Sequence, residues 1–141
     1  MEIDQRLIGD GPYPLNGVWA VLARVGFLVA ICAILIAVFL PGHMVPHFVR
    51  SHYLQHFAAF YVATLFGLAA APHTRLRSVT LGMLVFVTGL ELSHLLAGAH
   101  LRPLVNNWVA DVGGIVTAVA PALAERFRAR LRSPPPASAA P

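Results

Sequence analysis

The chain has 141 residues, of which 57% are hydrophobic and 11% charged, with a mean hydropathy of +0.70. That balance is too apolar for an ordinary soluble domain, and the length suits one domain. A formal net charge of +4 and a pI near 10.2 raise the question of nucleic acid, but the arginines follow a membrane topology rather than one basic face. A single cysteine, Cys32, excludes an intrachain disulfide and a cysteine-based metal site. All ten basic residues are arginine, and with the many Ala, Pro and Gly this resembles a high-GC bacterial composition.

Residues 1–17 read as a short polar tail, with Glu2, Asp4 and Asp10 followed by Gly11, Pro12, Pro14 and Gly17. They lack the basic n-region of a cleavable signal, so the next apolar stretch reads as a retained helix. The first span is expected at about 18–40, enough to cross a core of about 30 Å at about 1.5 Å per residue. Arg24 lies early in it and can snorkel to the interface. Pro41-Gly42 ends it, and a loop carrying His43, His47 and Arg50 follows. The second span is expected at about 53–71, closed by Pro72, and the third at about 76–96, with His73, Arg75 and Arg77 around the turn between them. Gly98, Arg102 and Pro103 mark the exit of the third span. The fourth is expected at about 104–123, followed by Arg126, Arg128, Arg130 and Arg132 in a basic tail over 125–141 that ends Pro/Ala-rich and disordered. The expected fold class is therefore all-α, an integral membrane four-helix bundle. Four spans put both termini on one side, together with most of the arginines, and the positive-inside rule makes that side cytoplasmic.

Ionisable groups inside a bilayer cost about 2.5–3.5 kcal/mol each on insertion scales, so they are read first as functional. Here they fall at matching depths. His52 and His56 are four apart, Glu91 and His94 three apart, and Asn107, Asp111 and Gly114 are spaced by four and three. Residues at these spacings share a helix face. Glu91 lies about 21 Å along its helix from Arg77, and Asp111 about 10 Å inside its span, which agree within one turn. The expected polar pocket comprises His56, Glu91, His94, Arg102, Asn107 and Asp111, with Arg102 as counter-ion to the carboxyls and a clamp for an anionic ligand such as a lipid phosphate. A metal held by His52, His56, Glu91 and His94 is a lesser possibility, and haem or pigment ligated by His56 or His94 a smaller one still. No cofactor is expected. His43, His47, His73 and His100 read as interfacial. Gly113-Gly114, with Ala110, Thr117 and Ala118, forms a small-residue face for helix packing, and Gly67 with Ala69, Ala70 and Ala71 forms another. Trp108 reads as an interfacial anchor. Phe57, Phe60, Tyr61, Phe66 and Phe86 read as packing or lipid-facing groups.

At these residues the chain resembles the VanZ-like membrane proteins. That family opens a transmembrane helix with His-Phe, places Glu-x-x-Gln near the end of the next, an Arg in the following loop, and Asp-x-x-x-Asn-x-x-Gly in the last. Here the elements read His56-Phe57-Ala58-Ala59-Phe60, then Glu91-Leu92-Ser93-His94, then Arg102, then Asn107-Trp108-Val109-Ala110-Asp111-Val112-Gly113-Gly114. The similarity spans roughly residues 50–120. His94 stands where the family usually has Gln, the Asp and Asn positions are exchanged, and His52-Tyr53 replaces an Asp-Lys pair. The resemblance implies fold and topology, and a link to cell-envelope properties such as glycopeptide (teicoplanin) susceptibility; most members have no defined activity.

Three functions follow as expectations. The first is a non-enzymatic membrane protein of the bacterial inner membrane, surrounded by lipid, whose outer pocket binds a lipid-linked or cell-envelope ligand. The second is an accessory subunit of a larger respiratory or photosynthetic complex. The third is a metal- or acid/base-dependent membrane enzyme, disfavoured because no nucleophile, base and oxyanion donor appear in recognisable order. No nucleic-acid partner is expected.

Overall fold

The structure, a computed structural model, describes residues 18–40, 44, 51–71 and 74–132. The expected tails at 1–17 and 133–141, and His43, His47, Arg50 and His73, lie outside the described residues. Four helices follow in order: α1 (Val18–Phe39), α2 (His52–Ala70), α3 (Leu76–Leu96) and α4 (Leu101–Arg132). Each is long and apolar enough to cross a membrane, and the chain is an all-α, multi-pass membrane protein.

The helix boundaries have local causes. Ser51 caps α2, its hydroxyl oxygen accepting from the Leu54 amide at 3.3 Å, so His52 becomes the first helical residue. At the end of α3 the Gly98 amide donates to the Leu95 carbonyl and the Ala99 amide to the His94 carbonyl, both at 3.0 Å. This pair of bonds is a Schellman closure, and it needs the left-handed φ of 92° that Gly98 adopts. The connection to α4 is therefore shorter than expected. Arg102 and Pro103, read as loop residues, lie in the first turn of α4, where proline's missing amide has no intrahelical acceptor to lose. The far end of α4 also departs from expectation. Residues 125–132, read as the basic start of the tail after the span, continue the helix to Arg132. Glu125 and Arg128, three apart, pair at 2.9 Å on that extension. At about 1.5 Å per residue α4 exceeds a bilayer core of about 30 Å, so its arginine-bearing end stands clear of the hydrocarbon.

The solvent rules of a soluble protein are reversed. Large apolar side chains such as Trp19, Leu28, Val85, Leu96 and Val109 lie on the outside, whereas Thr64, Glu91 and Asp111 are buried. Hydroxyls in the spans return to their own helix. Thr64 donates to the Phe60 carbonyl at 2.7 Å, Thr80 to Leu76 at 2.9 Å and Thr117 to Gly113 at 2.8 Å. No polar hydrogen of these side chains is left to hydrocarbon. Thr117 also precedes Pro121 by four, the position whose carbonyl loses its helical donor to the proline.

α2 is the central element. It packs against α1, α3 and most extensively α4, while α4 also packs on α3 and α1 rests mainly on α2. The shared core comprises Ile34, Phe60, Ala63, Leu76, Met83, Val87, Ile115 and Val119, so all four helices contribute. Glycine sets the closest approaches. A Cβ on Gly114 would strike the Phe57 carbonyl oxygen and lie 2.9 Å from the Tyr61 amide nitrogen, both backbone atoms of α2. On the α1 side Gly26 faces the Phe66 ring and Gly67 faces the Phe27 ring. At the opposite end of α2, Arg24 of α1 donates from Nε to the Ala70 carbonyl at 3.5 Å, a cation at a helix C-terminus.

These contacts separate the glycines experimentally. Gly114→Ala is expected to lose about 1–3 kcal/mol of stability, because a backbone obstacle cannot move aside. Gly113→Ala meets only the Phe57 ring at 3.4 Å and is expected to be near neutral. Gly89→Ala, with open space around it, is expected to gain up to about 1 kcal/mol from helix propensity. Reversible unfolding in mixed detergent micelles ranks the three.

Candidate functional site

The ends of α1 and α3 and the starts of α2 and α4 share one end of the bundle. Towards that end α2, α3 and α4 each turn one ionisable side chain inward. His56 comes from the second turn of α2, Glu91 from about one and a half turns before the end of α3, and Asp111 from about 15 Å along α4. One ligand atom from each, an imidazole nitrogen and two carboxylate oxygens, lies within 4.8 Å of the others.

The strongest contact in the group joins α2 to α4. His56 Nδ1 and Asp111 Oδ1 are 3.0 Å apart, with the Asp111 side chain 1% exposed and that of His56 23% exposed. The imidazole N–H donates to the carboxylate and fixes the ring's tautomer and direction. Glu91 is less well satisfied. His94 Nδ1 approaches its Oε2 at 3.7 Å, an ion-pair distance but too long for a hydrogen bond. Glu91 Oε2 is buried and has no hydrogen-bond partner, on a side chain only 10% exposed. An oxygen with two lone pairs held this way in an apolar bundle costs free energy unless it takes a proton or a cation.

A ring of partly exposed groups surrounds the three. The His52 ring meets that of His56 edge-on, with centroids 4.6 Å apart. The side chain of His94 is about one-third exposed. Two further polar bonds tie α4 to its neighbours near this end: Asn106 Nδ2 donates to the Tyr53 hydroxyl at 3.4 Å, and Trp108 Nε1 donates to Thr88 Oγ1 at 3.1 Å. Trp108 was expected to be an interfacial anchor alone; its indole also links α4 to α3.

Of the residues singled out in the sequence, His56, Glu91 and Asp111 converge, and His94 stands beside Glu91. Asn107 is half-buried one turn before Asp111, but the interhelical bond at this level belongs to its neighbour Asn106. Arg102 is exposed, about 14 Å further along α4 towards its start than Asp111. The carboxyls take His56 and His94 as their partners, so the expected role of Arg102 as their counter-ion does not describe this geometry. The expected metal set also shifts: Asp111 joins His56 and Glu91, and among the described residues they form the one group of three that could hold an ion. Nor is the cluster an open pocket. Two shallow hollows lie elsewhere, one against Trp19, Leu22, Ala23 and Ala69 and the other around Arg126 and Phe127. Thr88 and Tyr53 were missed as bonding partners because a single hydroxyl in an apolar helix gives no periodic signal, and Asn106, expected as part of an interfacial helix start, also bonds Tyr53.

No family model, no curated protein and no solved structure matches the chain. The site is therefore read from its own geometry.

A double-mutant cycle on His56→Ala and Asp111→Ala measures the central pair. An interaction between charged partners is expected to give a coupling of about 1.5–3 kcal/mol. An ordinary interhelical hydrogen bond in a membrane gives about 0.6 kcal/mol. A value near the smaller figure would show that the pair is neutral and weak.

Proposed function

We propose that this is a non-enzymatic membrane protein of the VanZ-like kind that binds an anionic, lipid-linked or cell-envelope ligand at the end of the bundle carrying the polar cluster. The observation that carries the reading is the position of Arg102. With histidines as the carboxyls' neighbours, an exposed Arg102 is left in the first turn of α4, at the same end of the bundle as the cluster. A helix start favours anions through its free amides and dipole, and a guanidinium adds planar, bidentate donors matched to phosphate. The cluster beneath would then orient His52 and His94 at the rim instead of receiving the ligand itself.

The arginines support an orientation. Arg24, Arg75, Arg77, Arg126, Arg128, Arg130 and Arg132 belong to the end opposite the cluster, whereas Arg102 lies at the cluster end. By the positive-inside rule the arginine-rich end, with both termini, faces the cytoplasm and the cluster faces outward across a bacterial inner membrane. A reporter active only in the cytoplasm, fused after Pro141, is expected to be active; an inactive fusion there, with an active one in the 41–50 segment, would invert this topology.

Binding tests the ligand reading. Full-length protein in phosphatidylcholine nanodiscs is expected to bind polyprenyl phosphate, and Arg102→Ala to weaken that binding about tenfold or more. Inorganic phosphate, run in parallel, reports whether the lipid chain contributes. Equal affinity of wild type and Arg102→Ala for both would sink the proposal.

A second reading, an accessory subunit of a larger respiratory or photosynthetic complex, has one observation in its favour. α1 rests mainly on α2 and fully buries only Ala20 and Ile34, while Trp19, Leu22, Val25, Leu28, Val29 and Ile36 face outward. Migration with a large assembly after mild detergent extraction would favour this second reading over the first.

A further inference from the structure

The His56–Glu91–Asp111 cluster has more negative capacity than its surroundings tolerate. Two carboxyls and one imidazole lie among apolar helices, and only one of the two carboxyls has a hydrogen-bonded partner. If both carboxyls are ionised and only His56 is protonated, these three groups carry a net charge of −1, with His94 the imidazole nearest Glu91 at 3.7 Å. Charge at such depth costs several kcal/mol. A divalent cation with two carboxylates and one neutral imidazole is neutral overall, so it removes that cost without any further partner.

We propose that His56, Glu91 and Asp111 form a binding site for a divalent first-row transition cation of the zinc or iron(II) class. Three features support it beyond the proximity of the residues. The donors come from three different helices, so the geometry is held by the whole bundle rather than by one flexible segment. Two ligands at about 2.1 Å from a metal, at angles between octahedral and tetrahedral, sit about 3.0–3.4 Å apart. The 3.0 Å between His56 Nδ1 and Asp111 Oδ1 matches that edge, the ion displacing the Nδ1 proton that bridges the two atoms. Glu91 Oε2 is buried without a hydrogen bond on a side chain nine-tenths buried, with His94 Nδ1 standing off at 3.7 Å, so an ion can take a contact that no donor fills. With all three donor atoms inside 4.8 Å of one another, closing on an ion needs side-chain movement rather than helix movement.

The donor chemistry narrows the metal. One nitrogen and two oxygens with no thiolate select borderline divalent ions and discriminate against copper(I), which takes sulfur. Three protein ligands leave at least one coordination position open. His94 at 3.7 Å from Glu91 Oε2 is placed to orient that carboxylate, the role that outer partners play around metal ligands. The site is separate from the ligand reading above, which rests on Arg102, and either can fail without the other.

The test uses the full-length protein in detergent micelles, stripped with a chelator and then given zinc alone or cobalt(II) alone. After desalting, elemental analysis is expected to find one ion retained per chain. Asp111→Asn and Glu91→Gln are each expected to weaken retention by about 100-fold, given that even outer-partner losses cost about 10–100-fold. His100→Ala, an exposed histidine outside the cluster, is expected to leave it unchanged. X-ray absorption of the zinc-loaded wild type keeps the proposal testable if a variant fails to fold, and is expected to show a first shell of oxygens with a single imidazole. Failure of the wild type to retain metal, binding unaffected in both carboxamide variants, or a shell of two or more imidazoles would each overturn it.

Discussion

The approach of α4 to α2 at Gly114 is the constraint from which most of this molecule follows. A hydrogen in place of a side chain lets α4 lie on the backbone of α2 at Phe57 and Tyr61. His56 immediately precedes Phe57, and Asp111 lies one turn before Gly114. Once the two backbones touch there, the imidazole and the carboxylate are brought to 3.0 Å. A larger residue at Gly114 would push the helices apart, and that bond lengthens with them. In a membrane no hydrophobic force drives helices together, so close packing through small residues and the polar bonds it permits must supply the association.

The remaining polar groups follow the same economy. Lipid cannot hydrogen-bond, so threonine hydroxyls in the spans return to their own helix or cross to another. Thr64, Thr80 and Thr117 do the first, and Thr88, which receives the indole N–H of Trp108, does the second. Glu91 Oε2 differs, a buried carboxylate oxygen with no hydrogen bond and His94 Nδ1 3.7 Å away. Strain of this kind concentrates at functional sites, where the missing partner is the ligand. The exception and the proposed metal site are thus one observation viewed from the energetic and the chemical side.

The two ends of the bundle carry different chemistry. One end holds the arginine-rich extension of α4 and Arg24 against the last carbonyls of α2. The other holds the His–Glu–Asp cluster with Arg102 and His52 above it. Among the described residues, the cluster end concentrates the groups that could bind ions. A metal below and an anion-binding guanidinium above are compatible occupants of that end, and they fail by different mutations.

Sequence alone determined the class and the spans, because hydropathy over about 20 residues is a local property that the bilayer reads directly. Spacing of three and four along each helix also nominated His56, Glu91 and Asp111, since one-face placement depends only on helix geometry. It could not rank their partners. Arg102 looked like the counter-ion because charge attraction is the only signal a sequence offers, yet it lies about 14 Å from Asp111 along α4, and His56 takes the carboxylate instead. The end of α4 escaped prediction for a related reason: arginines after Leu123 signal the end of hydrophobicity, not the end of a helix. Which of two adjacent asparagines bonds Tyr53, and which carboxylate oxygen goes without a partner, depend on the rotation of one helix against another. Interhelical packing alone sets that rotation, and Gly114 on the backbone of α2 fixes it here.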